Sequence, residues 1–229
     1  MARTAVVAGV GPGLGASVAR KLHAEGCSVA LLARSTDFTA DLATELGDGA
    51  VALECDISDE AAVAEAFETV RSVLGSVDVL VNNASAASWD GLVACSTDSF
   101  DRALDVGARG AFLCAQEAVS DMLAGDGGTV IFTGATTSVR GREGAVGFSA
   151  AKFAARGLAE SMARELGPEG VHVAHAVIDG GILPPDQDVE NPEEYLDPDA
   201  IAESYWHLVE QERSAWTLEL DLRPHVEEF

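Results

Sequence analysis

TAVVAGVGPGLGAS, residues 4–17, is a short apolar run followed by four glycines at every second position. The apolar run, residues 4–9, predicts a buried strand, and we expect a helix from about Gly13 to Glu25. The glycines permit a tight turn and a close approach of the backbone to a ligand. A helix N-terminus behind such a turn offers free N–H groups and a positive dipole end, so the stretch predicts a phosphate-binding turn. A purely structural turn would use the same glycines.

Apolar runs and helical patterns alternate along the rest of the chain. Further strands are predicted at 28–33, 50–55, 77–82, 128–134 and 171–178, and further helices from Asp37 and at about 59–74, 97–123 and 146–166. The strands are almost continuously apolar, which is typical of a sheet buried on both faces. Strands that alternate with helices predict right-handed crossovers. We therefore expect an α/β fold with a doubly wound, mostly parallel sheet of the Rossmann type, in a single domain over residues 1–229.

The C-terminal part of the chain departs from this alternation. Residues 182–199 are rich in proline and acidic residues and have no period, which predicts a loop or lid over a substrate, and a final helix is expected from about Asp199. Residues 216–224 alternate apolar and polar side chains, as an edge strand would. We expect this segment to be the last of seven strands, with Trp216, Leu218, Leu220 and Leu222 on one face.

The net charge of the chain disfavours some classes of binding partner. The chain has 14 basic and 38 acidic residues and a formal net charge of −24, which repels nucleic acids and anionic membrane surfaces. A small-molecule substrate is therefore expected, and a phosphate-bearing ligand would need a local positive site. The N-terminus lacks the pattern of a signal peptide and no long apolar run follows, so we expect a cytoplasmic protein. The four cysteines have no metal-ligand spacing, and we expect neither a disulfide nor a bound metal.

The ends of the second and third strands bear on the choice of nucleotide. Dinucleotide-binding folds that select NAD place an acidic residue after the second strand, whereas Arg34 and Ser35 stand there in this chain. Arg34 would pair with a 2′-phosphate, which favours NADP(H) over NAD(H); a solvated arginine beside a helix is the alternative. Asp56 follows the third strand and would either accept a hydrogen bond from an adenine amine or help to cap the next helix.

Four motifs occur in a familiar order: GVGPGLG at 9–15, CDIS at 55–58, VNNAS at 81–85 and a helix that begins near GFSAAK at 147–152. Together they resemble the short-chain dehydrogenase/reductase family from about Thr4 to Gly181. The resemblance implies a nicotinamide cofactor, a homo-oligomer (a dimer or a tetramer) paired through helix 146–166 and the one before it, and a cofactor site. The residues expected to bind the cofactor are Gly9, Gly11, Gly13, Leu14, Gly15, Arg34, Ser35, Asp56, Ile57, Asn83, Ala84 and Lys152.

At three of the family's four catalytic positions, the resemblance places a different residue in this chain. In the family, a tyrosine stands four residues before a lysine, so both side chains reach one face of a helix. The lysine binds the nicotinamide ribose and lowers the pKa of the tyrosine, which transfers the proton, while a serine and an asparagine complete the site. Lys152 matches the lysine, and the family's spacing puts Phe148, Ala135 and Gly107 at the tyrosine, serine and asparagine positions.

Loss of the tyrosine limits the expected chemistry. A positioned general acid contributes about 10²–10⁴ in rate, so ordinary ketone reduction should be weak. We expect an NADP(H)-dependent oxidoreductase that reduces an activated C=C, C=N or C=O bond of a small molecule. A non-redox lyase, cyclase or isomerase, or an inactive NADP(H)-binding protein, remain alternatives. The hydroxyls near the vacant positions belong to Thr133, Thr136, Thr137, Ser138 and Ser149.

Overall fold

A computed structural model describes residues 2–185 and 187–227. Its strands are β1 (Thr4–Ala8), β2 (Ser28–Ala33), β3 (Ala50–Glu54), β4 (Val77–Asn82), β5 (Gly128–Thr133), β6 (Val171–Ile178), β7 (Gly181–Ile182), β8 (Tyr195–Leu196) and β9 (Glu219–Leu222). Its α-helices are α1 (Leu14–Ala24), α2 (Asp37–Leu46), α3 (Glu60–Val73), α4 (Thr97–Leu104), α5 (Ala111–Ala124), α6 (Val146–Leu166) and α7 (Pro198–Val209). The alternation of strands and helices read from the sequence is confirmed.

Seven strands form one parallel sheet in the order β3-β2-β1-β4-β5-β6-β9. Alternate residues of β1 enter different cores, because successive side chains of a strand point to opposite faces. Val6 packs in a core with α3, α5 and α6, whereas Val7 packs in a core with α1, α2 and α7. Helices thus cover both faces of the sheet, and the doubly wound Rossmann-type fold is confirmed.

One predicted helix, 97–123, is interrupted. Residues Asp105–Gly110 form a π-helical turn between α4 and α5. A π turn contains one more residue per hydrogen-bonded ring than an α-helix, and it shifts the helix relative to its neighbours. Two glycines permit close packing here: a Cβ atom on Gly110 would lie 2.7 Å from Ile57 Cγ1, and one on Gly107 would lie 3.0 Å from Ala151 Cβ. The apolar pattern continues through the turn, so the sequence does not indicate it.

The C-terminal segment is more ordered than a loop. Within residues 182–199, β8 pairs in parallel with β7, and α7 begins at Pro198 with Asp197 as its N-terminal cap. Asp186 lies outside the described residues. The last strand is confirmed at 219–222, shorter than 216–224, and it pairs with β6 at the sheet edge. Leu220 and Leu222 pack against the core, while Trp216 precedes the strand and stacks on His172 with ring centroids 4.9 Å apart.

The structure also bears on the state of the cysteines, on metal ligands and on membrane-spanning helices. The cysteines are free: Cys27, Cys55 and Cys114 are buried and Cys95 is half-buried. Within the described ranges, no group of three or more His, Cys, Asp or Glu side chains is arranged to hold a metal ion. None of the helices in the same ranges has the length and apolar character needed to cross a bilayer.

Candidate active site

The turn after β1 contains four glycines, of which two pack closely against neighbouring backbone and two have free space around them. Gly9 has a φ of 101°, and a Cβ atom there would lie 2.4 Å from the backbone of Ala84. A Cβ atom on Gly15 would lie 2.6 Å from the carbonyl oxygen of Gly9. By contrast, a Cβ atom on Gly11 or Gly13 would meet nothing within 4 Å. No side chain caps the start of α1, and the N–H of Ala16 donates to the carbonyl oxygens of Gly11 and Gly13.

A cavity of about 660 Å³ lies over this turn, at the carboxyl edge of β1 to β4. Eleven of the twelve residues proposed for cofactor binding line it: Gly9, Gly11, Gly13, Leu14, Gly15, Arg34, Ser35, Asp56, Ile57, Asn83 and Ala84. The twelfth, Lys152, lies outside it. Eight further residues line it, among them Arg102 from α4 and Val106 from the π turn, which the sequence did not place at this site.

The polar side chains of this cavity have distinct local roles. Asn83 donates from its amide nitrogen to the carbonyl oxygen of Gly9 at 2.7 Å, which ties the end of β4 to the glycine turn. Asp56 accepts hydrogen bonds from the backbone N–H and the hydroxyl of Ser58, and these bonds lower the pKa of Asp56. Asp59, rather than Asp56, caps α3. Ser35 donates its hydroxyl to Asp37 at 3.1 Å.

A second cavity, of about 930 Å³, adjoins the first. The two share Leu14, Asn83 and Ser85 as lining residues, so they form one continuous cleft. Lys152 of α6 lies in the second cavity and is only 6% exposed. Its Nζ donates to the carbonyl oxygen of Thr133 at 2.7 Å. Burial disfavours the charged ammonium and lowers the pKa of Lys152 to about 8.

Aromatic side chains cover the region beside Lys152. Phe148 lies one helical turn before it, with the ring centroid 5.5 Å from Lys152 Nζ. Trp89 packs against Phe148 at 5.4 Å, and the guanidinium of Arg142 lies 5.1 Å from the Trp89 ring centroid. These four residues line the second cavity and form a cation–ring–ring–cation row along its wall.

Ala135 also lines the second cavity, whereas Gly107 lines neither cavity. Ala135 has an extended backbone, and its N–H donates to the hydroxyl of Ser138 at 3.0 Å. Gly107 is buried in the π turn against α6. The structure therefore brings Lys152, Phe148 and Ala135 to one cavity and leaves Gly107 behind its wall.

Comparison with known proteins identifies the family. The sequence matches the short chain dehydrogenase family model over residues 3–193. The chain belongs to the short chain dehydrogenase family. Tropinone reductase-like 2 of Erythroxylum coca is 33% identical over 176 residues, which are 75% of this chain but only 64% of that relative's length.

Three more members extend the comparison. The 2-dehydro-3-deoxy-L-rhamnonate dehydrogenase (NAD(+)) of Sphingomonas sp. is 34% identical over 180 residues, 76% of this chain and 70% of its own. The X-ray structure of an alcohol dehydrogenase from Thermococcus sibiricus, complexed with 5-hydroxy-NADP, superposes with a TM-score of 0.89 at 26% identity. That alignment covers 100% of this chain and 99% of the other. The crystal structure of a short-chain dehydrogenase from Rhodopseudomonas palustris superposes with a TM-score of 0.86 at 32% identity and covers 97% of this chain, so the fold is that of a short chain dehydrogenase.

The hydroxyls proposed to replace the family's catalytic groups differ in their partners. Thr136 lies on the wall of the second cavity and donates to Asp179 Oδ1 at 2.6 Å. Thr137 lines the same wall, and its buried hydroxyl has no partner among the described residues. Thr133 also lines the cavity and accepts from Tyr205, whereas Ser138 and Ser149 do not line it and accept from the backbone N–H groups of Ala135 and Arg142. Of these five hydroxyls, Thr136 is therefore the one that both lines the second cavity and donates to a carboxylate.

The remaining aromatic and histidine side chains are structural in this arrangement. Tyr205 of α7 is 1% exposed and packs in the core beside Leu208, and burial raises its pKa. Tyr195 lines neither cavity. His172 is bonded to the carbonyl oxygens of Leu208 and Thr217, and His175 is bonded to Glu219. Desolvation lowers the pKa of both histidines.

Proposed function

We propose that the chain is an NADP(H)-dependent oxidoreductase that reduces an activated C=C, C=N or C=O bond of a small molecule. The observation that carries this proposal is the continuous cleft. The first cavity has an open glycine turn, and the second contains the buried Lys152; the two meet at Leu14, Asn83 and Ser85. This layout suits a dinucleotide that extends from the turn toward the lysine, with substrate room beyond it.

The residues of the first cavity fit such a cofactor. Gly11 and Gly13 leave the space over the α1 N-terminus free for a pyrophosphate. Arg34 and Arg102 add positive charge on the same wall, and neither forms an ion pair with a described residue. One relative is an NAD(+) enzyme by name and one solved relative holds an NADP analogue. The preference for NADP(H) therefore rests on Arg34, for which a 2′-phosphate is the natural partner.

We propose that Phe148 and Ala135, on the wall of the second cavity, and Gly107, buried in the π turn against α6, occupy the family's tyrosine, serine and asparagine positions. When bound, the nicotinamide supplies or accepts hydride. Lys152 holds the ribose beside it, and Phe148 keeps water from the lysine side of the cavity. Water that enters the cavity supplies the proton that the reduced substrate needs, and the Thr136 hydroxyl, held by its hydrogen bond to Asp179, orients that water or the substrate. A hydroxyl is a weaker acid than a lysine-activated phenol, so the substrate bond must be activated.

Two further features belong to the same proposal. Residues 182–199 act as a lid, because the segment begins at Ile182 on the cavity wall and returns through β8. The chain is a homo-oligomer, a dimer or a tetramer, paired through α5 and α6. Phe112 and Phe153 are 41% and 43% exposed on these helices, and the exposed Gly157 lets another helix approach. Light scattering at micromolar concentration tests this, and a monomer would reject it.

The decisive experiment separates binding from turnover. The protein is titrated with NADPH and NADH, and NADPH oxidation is then followed with ketones, enones and imines. We expect tighter binding of NADPH, oxidation with an enone or imine, and little with simple ketones. Binding without oxidation would instead identify an NADP(H)-binding protein. Substrate conversion without cofactor oxidation would identify a lyase, cyclase or isomerase.

A further inference from the structure

The basic side chains without ion pairs are concentrated in the cleft. Nine of the 14 lysines and arginines form ion pairs, as expected where acids are in large excess. Five form none with a described residue: Arg34, Arg102, Arg142, Lys152 and Arg213. The first four line the two cavities, and Arg213 donates to the carbonyl oxygen of Asp126. In so acidic a protein, cations that are kept apart from carboxylates indicate a ligand that supplies negative charge.

Of the four cations without ion pairs that line the cleft, Arg142 is the one to which the proposed cofactor site assigns no role. Its guanidinium is held 5.1 Å from the ring centroid of Trp89, and it donates no hydrogen bond to a described residue. Arginine stacked on an aromatic ring is partly immobilised, which lowers the entropy lost when it binds an anion. Trp89 is 60% exposed, and an exposed ring is available for stacking by a planar ligand.

Acidic side chains on the same wall limit the charge of that ligand. Asp179 lies 3.6 Å from Arg140 and 3.4 Å from Arg223, so its charge is largely balanced. Glu143 and Glu227 also line the cavity without an ion pair to a described residue. Their field opposes a dianion such as a phosphate more than a singly charged carboxylate.

We propose that the second cavity recognises a planar, conjugated substrate that carries one carboxylate. Arg142 binds the carboxylate, and Trp89 and Phe148 pack against the conjugated plane. The reactive end of the molecule extends toward Lys152. This proposal rests on the proposed function for the reacting end, but the recognition itself is a binding property. The cavity volume of about 930 Å³ is in the range of small-molecule sites.

The test uses two probes of one shape: 4-phenylbut-3-en-2-one and its derivative with a carboxylate on the phenyl ring. Calorimetry measures the binding of each to the NADP⁺-saturated protein. We expect the carboxylated enone to bind about tenfold or more tightly, because a charge-assisted hydrogen bond to arginine is lost with the neutral probe. Equal affinities in the unmodified protein would overturn the proposal.

Variants assign the preference to Arg142. Arg142→Gln should reduce the ratio of the two dissociation constants to about two or less while NADPH affinity stays unchanged. Arg164→Gln removes the same charge from an exposed position on α6, remote from the cleft, and should keep the full ratio. A full ratio in Arg142→Gln would reject the assignment. Trp89→Ala should weaken both probes and Trp89→Phe should not; unchanged binding to Trp89→Ala would contradict the stacking role.

The same measurements keep this inference separate from the proposed function. If the carboxylated enone is preferred but NADPH is not oxidised, the carboxylate subsite stands and hydride transfer is rejected. If NADPH is oxidised with both enones and their affinities are equal, the subsite is rejected and the oxidoreductase stands.

Discussion

The two halves of the cleft are built from different parts of the chain. The first cavity is built around the backbone of the glycine turn and the start of α1, and side chains at the ends of β2, β3 and β4, in α4 and in the π turn complete its wall. The second cavity is formed by side chains from β5, the loop before α6, and α6 itself. A backbone site is preserved by a few glycines, whereas a side-chain site changes chemistry with each substitution. Our proposal is accordingly that the first half of the cleft keeps the family pattern and the second half departs from it.

The departure that we propose would involve the packing behind the second cavity as well as its surface. Gly107 lies so close to α6 that a Cβ atom would stand 3.0 Å from Ala151 Cβ. An asparagine at 107 would have to push α6 away, and α6 carries both Phe148 and Lys152. We infer that the second half was repacked as a unit. Its differences from the family are then coupled, and restoring one residue should restore little.

The largest effect we predict is in the backbone half. Gly9→Ala should lower the free energy of unfolding by about 3 kcal/mol or more, because it adds strain at a positive φ and overpacks the site. The added Cβ would lie 2.4 Å from Ala84. Gly11→Ala is the matched control: its Cβ meets nothing within 4 Å, so stability should stay the same while NADPH affinity falls. Urea unfolding and NADPH titration measure both, and equal stabilities of the two variants would contradict the prediction.

The second prediction concerns the buried lysine. Native Lys152 has a pKa of about 8, below its ordinary value of 10.5, so between these pH values the unfolded chain binds more protons than the native one. The free energy of unfolding should therefore rise with pH in this window by about 3 kcal/mol, measured relative to the Lys152→Met variant. This rise should be absent below pH 8. Lys21→Met, which removes the other lysine, should keep the rise. Parallel unfolding curves for wild type and Lys152→Met from pH 7 to 10 would refute this.

Gly9 and Lys152 also show which parts of the site could be predicted from the sequence. The glycine turn and the cofactor residues were predictable, because the carboxyl ends of parallel strands meet at one edge of the sheet. Arg102 and Val106 were not, since the apolar pattern of 97–123 does not reveal the π turn that follows Arg102 and contains Val106. The contacts of Trp89 with Arg142 and of Thr136 with Asp179 join loop segments without periodicity. Such contacts depend on tertiary packing, which local patterns do not encode.

The third prediction tests cofactor choice in the backbone half. NADPH should bind more tightly than NADH, and Arg34→Ala should remove about 2 kcal/mol of that preference, the value of a charge-assisted hydrogen bond. Arg164→Ala removes the same charge from the exposed end of α6 and should leave the preference intact. Fluorescence titration with both cofactors measures the ratio. Equal affinities in the unmodified protein would reject NADP(H) as the preferred cofactor.

The smallest effect concerns the side-chain half, where Phe148→Tyr and Ala135→Ser together restore two of the family's groups. The new phenol would stand near the Lys152 ammonium, as the Phe148 ring does at 5.5 Å, and this neighbour would lower the phenol pKa. A fully supported acid contributes about 10²–10⁴ in rate. Gly107 supplies no asparagine side chain, and Thr133 already accepts the hydrogen bond of buried Tyr205, so the proton relay stays incomplete.

We therefore expect only about a tenfold gain in NADPH oxidation with simple ketones, below the range of a complete general acid. Activity with enones should fall at the same time, because the wall of Phe148 against Trp89 becomes polar. The single variant Ala135→Ser is the control and should gain nothing. A gain of a thousandfold would mean that the second half of the cleft differs from the family only by a missing acid. No gain, with enone activity lost, would mean that the repacking behind Gly107 governs this half. Brisk ketone reduction by the unmodified protein would show that another group already serves as the acid.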